Sequence, residues 1–307
     1  MMNNSEFPCT SSVIVCTYNR SSLLIRSLKA LASQTAPMST FQIIVVDDGS
    51  TDDTAGVCNS MTAQLPNMKY IPLGRNCGLS AAGNRAIAEA RGKYLLFTDD
   101  DCIPQPDWVE KMNEALEGSP LAAGTMISTT SDYFKLCHNI AQFYPFMPGQ
   151  KARKIDFIAG ANMGIRSDLI KEIGEFDTET IIPDMEFILR ARQKGYSIMF
   201  TPDAAIIHDP MRVTLRSILG YAAKHASVTV LFRHQYRELL HTPFILFSPS
   251  LILLFAPLIA FKTTASIYFG NRKLWRYLHT APIVYLTKMA WCWGAARGLL
   301  KKERNLH

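Results

Sequence analysis

The segment that most constrains the fold of this chain is Tyr94-Leu95-Leu96-Phe97-Thr98-Asp99-Asp100-Asp101-Cys102-Ile103-Pro104. Apolar and aromatic residues of strand character run straight into consecutive carboxylates, and a proline closes the run. A buried strand that ends in acids sets its charges at the carboxyl edge of a sheet, where open α/β folds bind ligands. Adjacent anions repel, so a cation belongs beside them. Hard divalent ions take oxygen ligands, and Mg²⁺ commonly uses one or two carboxylates. In an extended chain alternate residues share a face, which pairs Asp99 with Asp101. The other reading of such a triplet is a solvated turn or the cap of the next helix, and the neighbouring segments decide between them.

Those segments repeat the pattern. Ser12-Val13-Ile14-Val15-Cys16-Thr17-Tyr18 and Gln42-Ile43-Ile44-Val45-Val46 are continuous apolar runs of strand length. The first leads through Asn19-Arg20-Ser21-Ser22, whose serines can cap a helix over Leu23 to Ser33. The second ends in Asp47-Asp48-Gly49-Ser50-Thr51-Asp52-Asp53, where Ser50 and Asp53 form a candidate capping pair for a helix from about Thr51 to Gln64. A third strand, Lys69 to Leu73, precedes a helix through Ala81, Ala86 and Ala90, with Gly92 expected at its left-handed C′ position. Alternating apolar strands and helices predict a parallel sheet covered on both faces. Two strands, ending at Val46 and at Thr98, deliver acids to the same edge, which favours a ligand site over a chance turn.

Further on, Pro106-Asp107-Trp108-Val109 starts a helix that reaches Glu117, Leu121 to Ile127 reads as a strand, and residues 129–154 read as a helix and a loop near an acceptor site. Thr201 to His208 is a strand ending in histidine.

Taken together, Val13-Ile14-Val15-Cys16-Thr17-Tyr18-Asn19-Arg20, Val45-Val46-Asp47-Asp48-Gly49-Ser50-Thr51-Asp52, Arg75-Asn76-Cys77-Gly78, Ala82-Gly83-Asn84-Arg85-Ala86 and Thr98-Asp99-Asp100-Asp101 resemble the family 2 glycosyltransferases. Those are inverting enzymes of the GT-A fold, a Rossmann-like mixed α/β sheet, that use nucleotide-diphosphate sugars. The resemblance covers about residues 10–210 and includes Pro183-Asp184-Met185-Glu186-Phe187-Ile188-Leu189-Arg190. It implies roles residue by residue. Tyr18 would pack on the nucleotide base and Asp48 would accept a hydrogen bond from it, unless Asp48 only caps the next helix. Asn84 and Arg85 would flank the donor pocket, with Arg85 pairing the diphosphate or standing as an exposed helical arginine. Asp99 and Asp101 match the metal-binding pair, Asp101 as direct ligand and Asp99 on ribose or metal, with Asp100 beside them. His208 would join the metal or diphosphate shell, or be a hydrogen-bonded structural histidine.

Asp184 takes the position of the catalytic base, its alternative being an acid favoured by the helix dipole. Pro183 stands where the family has an acid, and proline suits a first helical turn. The implied cofactor is Mg²⁺ or Mn²⁺, and the implied donor a UDP or GDP sugar. A hydrolase would want two carboxyls flanking the bond, and no such pair is evident.

After His208 the composition changes. Residues 211–241 carry Arg212, Arg216, Lys224, Arg233 and Arg237 among apolar positions, the pattern of a membrane-surface helix or of a packing helix. Thr242 to Phe261 has no charge and is close to the ~20 residues a span needs. A second apolar stretch, Thr280 to Leu300, contains Lys288 and Arg297. Lys262, Arg272, Lys273 and Arg276 lie between the two, and Lys301, Lys302 and Arg304 follow. A loop that had crossed the bilayer should be poor in such residues, so helices lying in the cytoplasmic leaflet are expected, with a two-span hairpin as the alternative.

The expected organisation is a GT-A domain over 1–210, a basic connector over 211–241 and a hydrophobic helical membrane-associated region over 242–307. Among the 307 residues, seven scattered cysteines fit reduced thiols, and polar Met1 to Ser12 does not resemble a cleaved secretion signal. The net charge of +6 interleaves with apolar surface, which disfavours nucleic acid. The Gln-x-x-Arg-Trp signature of processive synthases is absent. The expectation is therefore transfer of one sugar to a lipid-linked saccharide, polyprenyl carrier or other saccharide at the cytoplasmic membrane face. A catalytically silent, nucleotide-sugar-binding membrane partner is the alternative, and such a relative should have lost Asp101 or Asp184.

Overall fold

The computed structural model describes residues 9–129 and 132–304, with side chains through Lys301. Most of the polar N-terminal stretch and the side chains of Lys302 and Arg304 lie outside the described residues. The chain divides into two compact units, Met1–Ile127 with Lys151–Asp209, and Ser128–Gln150 with Pro210–His307.

The first unit is built on a nine-stranded sheet. Its strands are β1 (Cys9–Thr17), β2 (Phe41–Asp47), β3 (Met68–Pro72), β4 (Gly92–Thr98), β5 (Cys102–Pro104), β6 (Leu121–Ser128), β7 (Arg153–Ile155), β8 (Asn162–Arg166) and β9 (Ile198–His208). The order is β3-β2-β1-β4-β8-β6-β9-β5, with β7 on β9. β3, β2, β1 and β4 run parallel. β8 pairs antiparallel with β4 and with β6, and β9 antiparallel with β5 and β7. The sheet is mixed, as a GT-A fold requires.

The helices α1 (Ser21–Ala32), α2 (Thr54–Met61), α3 (Leu79–Glu89), α4 (Trp108–Gly118), α6 (Ser167–Ile173) and α7 (Pro183–Gln193) complete this unit. Val13 to Val15 and Ile43 to Val46 are buried along their whole runs, which is why these strands lack alternation. Leu24, Leu28 and Leu31 form the buried stripe of α1. Trp108, fully buried, donates its indole N–H to Asn162 Oδ1 at 2.8 Å, and the Asn162 amide donates to the carbonyls of Thr125 and Ala204 at 3.0 Å each.

Some local expectations need correction. α1 has no side-chain cap. α2 is shorter than predicted because Ser50 and Thr51 are tied to Asn19, which sits at φ 53°. Asp52, not Ser50, binds the Thr54 amide, at 3.2 Å. Gly92 does not close α3. It opens β4, where a Cβ would lie 2.4 Å from the Ser11 carbonyl carbon, and Ser12 Oγ accepts its N–H at 2.8 Å. Close strand approach, not a left-handed conformation, demands this glycine.

The second unit is helical: α5 (Tyr133–Phe143), α8 (Leu215–Gln235), α9 (Pro249–Gly270) and α10 (Ala281–Arg304), with 3₁₀ turns at Phe244–Phe247 and Arg272–Thr280. Residues 128–150, expected in the GT-A domain, belong here. Lys288 of α10 donates to the Ala141 carbonyl in the last turn of α5 at 2.5 Å. Thr214 and Ser217 form a capping box for α8. Gly294 and Gly298 of α10 face α8 so closely that a Cβ would lie 2.1 Å from the Ala223 carbonyl and 2.3 Å from that of Ser227. Small residues four apart on both helices are the pattern by which helices in lipid approach.

The uncharged stretch from Thr242 is not one helix. Ser248 caps α9 and Pro249 begins it, which shifts the helix toward its polar end and places Lys262 inside. Ile252, Ala256 and Ala260 are buried, whereas Leu254, Leu258 and Phe261 face outward. Among the described residues α9 is the one helix long and apolar enough to cross a membrane.

Candidate active site

The carboxyl edge of the parallel strands gathers the acids. Asp47, at the end of β2, accepts from the Ser50 amide at 2.8 Å and the Tyr70 hydroxyl at 2.7 Å. Asp48 is buried, and its two oxygens accept the amides of Cys77 at 2.6 Å and Gly78 at 2.9 Å. It orders the 75–78 loop and does not cap α2. Tyr18, one residue past β1, is 44% exposed and free to meet a planar ligand.

The triplet after β4 is a turn, in which the Cys102 amide donates back to the Asp99 carbonyl at 3.1 Å. The alternation of an extended chain therefore does not govern these side chains. Asp100 points inward, accepting from Thr17 Oγ1 at 2.8 Å and from Arg20 at 2.9 Å. The same guanidinium nitrogen stands 3.6 Å from Asp101 Oδ2. Arg20 is the cation that three adjacent anions demanded. The motif contained it, yet no spacing in the sequence marked it as the partner.

Asp101 reaches His208 on the other side, with Oδ1 3.6 Å from Nε2. The ladder between β5 and β9 fixes this approach by pairing Cys102 with His208, and the Asp209 amide donates to the Asp101 carbonyl at 2.9 Å. Asp209 is held in turn by Arg26 at 2.6 Å. Burial, then the charges of Asp101 and Asp100, hold the Asp99 carboxyl well above the ordinary carboxylate range; Arg20 opposes them and Asp184 adds to them. Burial likewise raises Asp100 against the pull of Arg20.

Ligand atoms of Asp101, Cys102 and His208 lie within 4.8 Å of one another. Burial raises the Cys102 thiol well above its usual pKa, and hard divalent cations favour oxygen and imidazole donors over sulfur. What remains is a carboxylate and an imidazole on paired strands, with Asp99 nearby and three acids facing one arginine. That set fits a divalent cation, and imidazole beside carboxylate suits Mn²⁺ better than an all-oxygen site would.

The second half of the site comes from α7. Pro183 occupies its first turn, and Asp184 follows with Oδ2 accepting the Gly160 amide at 2.9 Å. A Cβ on residue 160 would sit 2.9 Å from that same oxygen. The Asp184 charge acting on Asp99 places the start of α7 within electrostatic reach of the triplet. Arg190 clasps Glu186 through two bonds of 2.7 and 2.8 Å and also donates to the Ile173 and Glu175 carbonyls at 2.5 and 2.6 Å. This ion pair thus anchors the loop after α6.

Asn84 and Arg85 are placed differently from each other. The Asn84 amide both donates to the Phe176 carbonyl at 2.8 Å and accepts its N–H at 2.9 Å, so it pins the same loop to α3. Arg85 pairs with Glu89 one turn toward the C-terminus of α3, at 2.7 Å, and Glu89 also binds Lys69. Neither is joined to the acid triplet by a hydrogen bond or ion pair among the described residues.

A mixed sheet whose parallel half delivers acids to one edge, faced by a second acid at a helix start, defines the class of GT-A nucleotide-diphospho-sugar transferases. The chain belongs to glycosyl transferase family 2: residues 12–174 match that family's model, and residues 94–294 match glycosyl transferase family group 2.

The chain is 28% identical over 200 residues to glycosyltransferase AglE of Haloferax volcanii, covering 64% of this chain and 66% of that one. It is 28% identical over 214 residues to the probable glycosyltransferase YdaM of Bacillus subtilis, covering 66% and 51%. It therefore spans between half and two thirds of these relatives' lengths. Among solved structures, the mannosyltransferase PcManGT of Pyrobaculum calidifontis, in complex with GDP-Man and Mn²⁺, superposes with a TM-score of 0.65 at 18% identity over 95% of this chain and 87% of that one. S. aureus TarS superposes with a TM-score of 0.54 at 22% identity, over 70% and 39%.

Proposed function

We propose that the protein is an inverting, metal-dependent glycosyltransferase. It moves one sugar from a UDP or GDP sugar to a hydroxyl or phosphate oxygen of a lipid-linked saccharide or polyprenyl carrier at the cytoplasmic face of the membrane. The observation that carries this reading is the convergence of two remote acids. Asp99 at the end of β4, whose carboxyl the Asp184 charge helps to raise, stands beside the Asp101–His208 pair, and Asp184 at the start of α7 is held by the Gly160 amide. The cation and nucleotide sugar named for PcManGT support the choice of donor class.

In the reaction an acceptor oxygen bonds to the anomeric carbon as the bond to the β-phosphate oxygen breaks. Attack opposite the leaving group inverts that carbon in one displacement. An acceptor hydroxyl is a poor nucleophile near neutral pH, and Asp184 takes its proton as attack proceeds. The Gly160 amide holds one Asp184 oxygen and leaves the other for the acceptor. Asp101 and His208, with Asp99 beside them, would hold the divalent cation, whose chemistry is to offset charge on the departing diphosphate. Arg20 bonds to the buried Asp100 at 2.9 Å, which fixes the turn that presents Asp101. Tyr18 supplies a face for the nucleotide base, and Asp48 shapes the base-side loop through Cys77 and Gly78.

The test is nucleotide release from UDP-, GDP- and dTDP-sugars by detergent-solubilised protein with membrane lipid extract, in Mn²⁺, Mg²⁺ or EDTA. Turnover of one donor that is lost in EDTA, in Asp101→Ala and in Asp184→Asn is expected. Donor binding without turnover under every acceptor condition would sink the enzymatic reading and leave the silent-partner alternative.

A further inference from the structure

The charge of this chain is not shared between its units. Residues 128–150 and 210–307 hold fifteen Lys and Arg against three Asp and Glu, whereas the other unit holds seventeen against twenty-three. Among the described residues the same helical unit carries fifteen of the eighteen exposed large hydrophobic side chains. On α9 these form an outward face, with Leu254 at 71%, Leu258 at 61% and Phe261 at 65% exposure. In the following 3₁₀ turn Trp275 and Leu278 are exposed beside Arg272, Lys273 and Arg276. A helix apolar on every side belongs in a core or in lipid, and little of α9 is buried.

We infer that the α9 face and the turn after it dock this unit onto an anionic bilayer leaflet, with α9 lying along the surface and not crossing it. Lys262 interrupts α9, and the uncharged run before it, Pro249 to Phe261, is thirteen residues, about 20 Å of helix, against a hydrocarbon core of ~30 Å. Lys262, exposed, would fall near mid-bilayer in an upright helix. Basic residues at both ends of α9 (Arg233 and Arg237 before it, Arg272 and Lys273 after it) put both ends on the same side of the membrane. Exposed Trp and Leu beside Arg and Lys are the anchors of an interfacial segment, and the +12 surplus of this unit selects anionic headgroups over neutral ones.

The inference rests on the membrane half of the proposed function and not on its chemistry, because it is read with no donor or acceptor present. Full-length protein is floated with phosphatidylcholine vesicles with and without phosphatidylglycerol at about 0.1 M salt. Binding to the anionic vesicles, released by alkaline extraction, is expected. Lys273→Glu with Arg276→Glu should lose about 30-fold in affinity for anionic vesicles and nothing for neutral ones. Leu254→Glu with Leu258→Glu should abolish flotation while keeping the wild-type thermal transition, since both side chains point outward. Equal binding to neutral and anionic vesicles, or retention after alkaline extraction, would overturn the in-plane anionic docking. A wild-type dimer that binds no vesicles and becomes monomeric in the leucine variant would show a second copy as the occupant instead.

Discussion

In the sheet unit three buried acids are held by named partners. Asp48 holds two amides, Asp100 a hydroxyl and a guanidinium, Asp101 an arginine on one side and a histidine on the other. In the helical unit the relation is reversed: few acids, an excess of cations, and Leu, Phe and Trp turned outward. The first unit hides apolar strands from water and uses polar bonds to set geometry, because an unsatisfied buried polar group is costly. The second reaches close helix packing through Gly294 and Gly298 and leaves a broad apolar surface exposed. One chain thus solves two solvation problems, and the comparison can be broken wherever a change meant for one unit alters the other.

The largest separation is expected from Gly160→Ala. The added methyl meets the far end of the Asp184 side chain, which can swing aside at small cost to the fold. A misplaced base should lower kcat by about 10²-fold, with an unchanged thermal transition and unchanged vesicle flotation. Gly294→Val tests the other unit. Its side chain would press on the Ala223 backbone, which cannot give way as a side chain does. We expect a loss of about 2 kcal/mol in stability, seen as faster proteolysis of the helical unit, while nucleotide-sugar binding stays within twofold, about 0.4 kcal/mol. Loss of donor binding in this variant would show that the units are not separable.

How far the sequence revealed this contrast differs between the units. Strands β1, β2 and β4 were legible because each is one continuous apolar run, and their terminal acids fixed which edge carries chemistry. Asp184 was singled out by the resemblance of Pro183 to Arg190 to the family's helix, with Pro183 standing where the family has an acid. What was missed depends on contacts far apart in the chain. That the Asn84 amide is held on the backbone of Phe176 is one such contact. Arg20 could be demanded on charge grounds, but nothing local told it apart from Arg75 or Arg85. The turn at Asp99 to Cys102 replaced an assumed extended run because the chain must bend out of β4 to reach the ladder with β9. Residues 128–150 cluster with the helical unit, which their irregular aromatic spacing does not signal and whose helix α10 lies well over a hundred residues away.

A smaller effect concerns pH and sharpens the account of the triplet. Asp99 has a raised pKa in the folded state, chiefly from burial and then from Asp101 and Asp100. A raised pKa stabilises the fold fully below the unfolded value and loses that contribution as pH rises through the folded value. In EDTA the Asp99 contribution to the stability of the wild-type sheet unit should therefore grow as pH falls toward the ordinary carboxylate value, and Asp99→Asn should remove that contribution. At pH 7.5 the variant should melt about 2–4 °C higher than wild type, the shift that about 1 kcal/mol gives a unit of this size. The difference should shrink in acid. A variant that melts lower at every pH would mean that Asp99 is stabilised as an anion by neighbours other than those described.

The smallest effect should come from Arg85→Ala. Its guanidinium pairs with Glu89 on a half-exposed surface, and such pairs contribute about 0–1 kcal/mol. Glu89 keeps Lys69 as a second partner, so the loss of Arg85 leaves no unpaired acid. The thermal transition should move by less than about 2 °C, and donor KM should stay within about threefold, 0.65 kcal/mol. The alternative role from the family resemblance, an arginine on the diphosphate, requires the side chain to leave Glu89 and turn toward the carboxyl edge. A donor KM raised tenfold or more in Arg85→Ala, with Glu89→Gln leaving KM unchanged or lowering it, would establish that turn. Arg85 would then join Arg20 as a second cation of the site, and the boundary between its structural and ligand-binding residues would move one helical turn down α3.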